Sequence, residues 1–177
     1  MYYAGTVNVL YAVIQNVALT EKYGWSVVTV NVVMMTFVGW MWFRAAVRGR
    51  EVFTFDGLSC RTMWMIPVAL FCLWWPMDMY TAVPVADWRL FFTGASGMAY
   101  CSMTPVLLTV LLLNRKSDAA LLRVSACVEF VIGIYNMANF ASDAGFYLGI
   151  YHLPLLLLSL YALFCSKTRK ESICSKN

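Results

Sequence analysis

Three side chains of chemically active types stand in otherwise apolar sequence: Ser96, His152 and Glu129. Ser96 lies in Gly94-Ala95-Ser96-Gly97, close to two residues that carry no side chain. A serine hydroxyl becomes a nucleophile only with a base in hydrogen-bond reach. Glycines on either side let backbone approach a substrate and leave amides free to hold an oxyanion. His152 is the only histidine of the chain, so it is the only imidazole available as that base. Tyr100 stands four residues beyond Ser96; on a helix it shares that face and is expected to pack on the imidazole.

Glu129 offers a different chemistry. It sits near the middle of an apolar run, Ala119–Phe140, where an ionisable group costs about 2.5–3.5 kcal/mol to insert. Ser125, Glu129, Gly133 and Asn136 recur at helical spacing and form one small, polar stripe that is expected to face other helices. A neutral glutamate, hydrogen-bonded to Asn or Ser groups of the first two spans, is one reading. A proton or cation site, or an acid acting on an apolar substrate, is the other. Asp78 is a second acidic candidate, near the end of an earlier apolar run.

These residues need elements to carry them, and composition says which. Of 177 residues, 62% are hydrophobic and 12% charged, with mean hydropathy +0.69. Soluble domains average about 45–50% apolar and about 25% charged. The expected fold is therefore an all-α, multi-pass integral membrane bundle of about six transmembrane helices. The spans are read as Tyr2–Leu19, Trp25–Phe43, Thr62–Val83, Phe91–Leu113, Ala119–Phe140 and Ala144–Cys165. Residues 1–166 then form the membrane domain and 167–177 a basic cytoplasmic tail.

Orientation follows from lysine and arginine placement. Arg44, Arg48, Arg50 and Arg61 follow span two; Arg115, Lys116 and Arg123 follow span four; Lys167, Arg169, Lys170 and Lys176 follow span six. That puts 11 of 13 basic residues on one face and leaves Lys22 and Arg89 on the other, so both termini are expected in the cytoplasm. Trp25, Trp88 and the Trp74-Trp75 pair fall near span ends, where interfacial aromatics sit.

Composition also excludes. The net charge of +4 is not gathered into a surface for nucleic acid, and no nucleic-acid partner is expected. None of the six cysteines forms a Cys-x-x-Cys pair, and one histidine cannot supply both axial ligands of a membrane haem. No cofactor and no metal are expected. The expected partners are membrane lipid and a transmembrane or apolar substrate, and the composition is compatible with an oligomer or a larger complex.

The Gly94-Ala95-Ser96-Gly97 motif, Tyr100 four residues on from its serine and a histidine 56 residues beyond Ser96 resemble the rhomboid intramembrane serine proteases. The likeness covers spans four to six. It implies six spans with a cytoplasmic N-terminus, Ser96 as nucleophile and His152 as base. It further implies Gly94 and Gly97 around the oxyanion, with Asn31 of span two as its supporting asparagine. The chain departs from the family at Val27, where a histidine would stand, at Leu155 and Ser159, where glycines follow the catalytic histidine, and at Trp88-Arg89, which precedes span four.

Three functions are thus in play: a rhomboid-like serine hydrolase; a small carrier or ligand-binding protein with Glu129 in a polar intramembrane cavity; and a structural subunit of a membrane complex.

Overall fold

Helix α1 (Tyr2–Ile14) opens the chain and lies along α2 (Thr29–Arg48). Small residues set their approach. A Cβ built on Gly39 would meet Val9 Cγ2 at 2.8 Å and the Gly5 carbonyl at 3.0 Å, so only glycine permits this contact. Trp42, Val38 and Ala12 fill the seam and are buried. A computed structural model describes residues 1–14, 16–21, 24–48, 56, 58–60, 62–78, 83–93, 99–141 and 146–174. It divides into two units, Met1–Val52 and Phe53–Asn177.

The first unit departs from two uninterrupted spans. After α1 the chain forms an antiparallel hairpin of β1 (Val17–Thr20) and β2 (Gly24–Val27), with Val17 opposite Val27 and Thr20 opposite Gly24. Val17, Val27 and Trp25 favour strand, and Gly24 takes φ 66°, a left-handed conformation that closes the turn. Asn16 ties the hairpin to the helices. Its Nδ2 donates to the Tyr11 carbonyl at 3.0 Å, and its carbonyl accepts from the Val28 amide at 2.9 Å.

The second unit is helical. It contains α3 (Met65–Trp74), the short α4 (Leu90–Thr93), α5 (Tyr100–Leu113), α6 (Ala119–Asn136) with a 3-10 turn at Met137–Ala141, and α7 (Phe146–Cys174). The most extensive pairing joins α6 to α7, and α5 packs on both α3 and α7. Gly133 permits the α6–α7 approach: a Cβ there would lie 3.2 Å from Leu156 Cα. Asp118 caps α6, its Oδ1 accepting from the Ala120 amide at 2.8 Å.

Among the described residues, three helices are long and apolar enough to cross a bilayer: Thr29–Arg48, Ala119–Ala141 and Phe146–Lys167, of 20, 23 and 22 residues. These match the second, fifth and sixth expected spans. The other three are shorter. At about 1.5 Å per residue, α1, α3 and α5 extend only about 20, 15 and 21 Å against a hydrocarbon core of about 30 Å. Thr62–Val83 breaks at Trp75, which takes φ 44° and caps α3, because Pro76 disfavours right-handed helix in the residue before it. The chain then turns back on itself. The Asp78 amide donates to the Val83 carbonyl and the Val85 amide to the Pro76 carbonyl, each at 3.0 Å. Asp78 therefore lies in a turn beyond the helix, not within a span. Phe91–Leu113 holds two helices, α4 and α5, rather than one. At the other end α7 continues as helix to Cys174, into the segment expected as tail.

Candidate functional site

The apolar second unit buries a line of polar side chains between α5 and α6. On α6, Ser125, Glu129 and Gly133 fall four residues apart and are all buried, as their spacing foretold, whereas Asn136, the fourth residue of the expected stripe, is only half-buried. Glu129 is 2% exposed. Across from it, the hydroxyls of Tyr100 and Thr104 face its carboxyl. These two are also four residues apart, so one face of α5 presents both. Within the second unit, the polar side chains that face Glu129 come from α5. Tyr100, expected to pack on the imidazole of His152, is buried and faces the acid of α6.

The Thr104 hydroxyl donates to the Tyr100 carbonyl at 2.9 Å, which leaves its oxygen as an acceptor. Glu129 Oε2 and Ser125 Oγ are buried with no hydrogen-bond partner among the described residues. Two unfilled polar atoms one turn apart on a membrane helix are expensive without a function or a guest.

His152 lies on α7, also buried, in a separate cluster. Its Nδ1 is 2.7 Å from the Leu148 carbonyl oxygen. A carbonyl only accepts, so Nδ1 carries the proton and Nε2 is left as an acceptor. Nε2 is buried and has no partner among the described residues, and the same holds for Nε1 of Trp75. The two rings meet edge to face with centroids 5.6 Å apart. Tyr151 stacks on Phe71, and its hydroxyl donates to the Pro76 carbonyl at 2.7 Å, tying α7 to the end of α3. Cys101, next to Tyr100, packs against this cluster. Trp75 is therefore a core residue at 7% exposure, not an interfacial anchor.

Gly94, Ala95, Ser96 and Gly97 lie outside the described residues. Asn31 is half-buried in the first turn of α2 and belongs to the first unit, whereas His152 belongs to the second. Thr104 was not singled out from sequence, and Trp75 was read there only as an interfacial aromatic. Thr104 had a usable signal, since it lies one turn beyond Tyr100. Pro76 was the signal for Trp75.

Comparison with known protein families, with characterised proteins and with solved structures finds no match.

Proposed function

We propose that the chain is a multi-pass membrane carrier in which Glu129 takes up and releases a proton. The observation that carries this reading is the buried Glu129 carboxyl, faced by Tyr100 and Thr104, with its Oε2 and the neighbouring Ser125 hydroxyl unfilled. A merely structural glutamate would be expected to have both oxygens satisfied. The Thr104 oxygen, its own proton committed to the Tyr100 carbonyl, is an acceptor for a protonated Glu129, and the vacant oxygen gives a leaving proton or an entering cation a place to bind. The lysine and arginine asymmetry supports six crossings with both ends in the cytoplasm, the short helices α1, α3 and α5 completing theirs through flanking chain. The test is proton flux in proteoliposomes that contain a pH-sensitive dye, driven by an imposed potential. Wild type should conduct, and Glu129→Gln, which keeps the shape of the acid, should fold and not conduct. Equal flux in both overturns the reading.

A second reading, the rhomboid-like hydrolase with Ser96 as nucleophile, draws on one observation. His152 holds its proton on Nδ1 through Leu148, the tautomer a general base acting through Nε2 requires. Fluorophosphonate labelling that vanishes in Ser96→Ala would support it, and failure to label beside a reactive control hydrolase would end it.

A further inference from the structure

A groove of about 580 Å³ runs between α3 and the returning segment 88–92, lined by Pro67, Leu70, Phe71, Trp74, Trp88, Phe91 and Phe92. Its volume falls within the range of ligand sites, about 300–1,000 Å³. The groove is built, not incidental. Trp74 Nε1 donates to the Asp87 carbonyl at 2.8 Å, which pins the returning chain to α3 and turns the polar edge of the indole away. Trp88 and Phe92 pack edge to face, with centroids 6.1 Å apart, and form the outer wall. They are 68% and 76% exposed, so this wall needs a cover.

We propose that this groove holds one acyl chain of an anionic membrane phospholipid, with Arg89 at its phosphate. A protein helix is a poor fit: α3 offers about 15 Å of wall, and a helix with side chains is about 10–12 Å across. A stable protein interface also needs upwards of about 1,000 Å². The lining offers no charged group to hold the head of a polar ligand inside. A flexible hydrocarbon chain matches such a channel. Two tryptophans and one cation at the same place mark the depth at which lipid phosphates lie. Arg89 is exposed, is the only cation of residues 83–93, and lies next to Trp88 and one turn from Phe92. Asp87 is the one anion beside it, its Oδ1 held by the Arg89 backbone amide at 2.9 Å, so a lipid phosphate competes with this carboxylate for the guanidinium.

The experiment uses the full chain in vesicles that contain phosphatidylglycerol bearing a photoactivatable acyl chain, with cross-links mapped by mass spectrometry. Cross-links should concentrate on Leu70, Phe71 and Phe92, several-fold above the exposed α7 residues Leu157 and Phe164. Phe92→Ala, a change at an exposed side chain, should cut them several-fold without altering helicity. Labelling uniform over all exposed apolar residues would overturn the proposal, as would displacement by a sterol but not by unlabelled phospholipid. Unlabelled phosphatidylglycerol should compete better than phosphatidylcholine, and Arg89→Gln should erase that difference. A preference that survives Arg89→Gln contradicts the assignment of the phosphate.

Discussion

The Thr104 hydroxyl donates to the Tyr100 carbonyl, 2.9 Å away and one turn back on α5, while both side chains turn to Glu129 of α6. An internal bond of one helix thereby leaves an acceptor oxygen toward the acid of another. Thr104→Val and Tyr100→Phe should each destabilise the protein by about 1–3 kcal/mol, the cost of leaving a buried partner unsatisfied. Unfolding titrations in detergent measure this. The double mutant should show a coupling above about 0.5 kcal/mol, because the pair shares one network. Strict additivity would show that the two act separately.

Glu129 itself separates structure from transport. Glu129→Leu removes the acid that both hydroxyls face and should weaken the bundle by at least about 1 kcal/mol. Glu129→Gln offers a donor and an acceptor in the same place and should melt near wild type. The same unfolding titration decides between these outcomes.

Helix approach in the first unit rests on glycine. Gly39→Ala places a methyl group against Val9 and the Gly5 backbone, at 2.8 and 3.0 Å. Overpacking of this kind costs about 1–3 kcal/mol. Gly24→Ala imposes strain of a different origin, since φ 66° disfavours any side chain although nothing lies within 4 Å. Melting of both variants should therefore be depressed, and only Gly39→Ala should loosen α1 from α2 in a cross-linking assay between cysteines on the two helices.

Basic residues predict topology independently of any site. A tag fused after Asn177 should be reached by protease only in broken cells, because a six-span topology would put 11 of 13 basic residues on the tail's face. Accessibility from outside intact cells would reverse the orientation.

The long helices were legible in sequence because apolar length and charged ends specify them. The apolar run Ala119–Phe140 gave α6, and three of the four residues of the expected stripe, Ser125, Glu129 and Gly133, lie on its buried face. The hairpin was not legible. Val17–Thr20 and Gly24–Val27 are as apolar as a helix end, and their strand character depends on pairing across the turn. Hydropathy likewise read Thr62–Val83 as continuous, because a hydropathy window does not register the backbone restriction that Pro76 places on Trp75. The acid of the site was visible as a charge out of place. Its partners were not, because a tyrosine and a threonine in an apolar helix look ordinary until the facing helix is known.

The most direct test of the account is the infrared carboxyl band of Glu129 in reconstituted protein. Wild type at neutral pH should show a protonated-carboxyl C=O stretch that is missing in Glu129→Gln, shifts in deuterium oxide and disappears reversibly as the pH is raised. A carboxylate at neutral pH, or a protonated band that neither exchanges deuterium nor titrates, would contradict a Glu129 that takes up and releases protons.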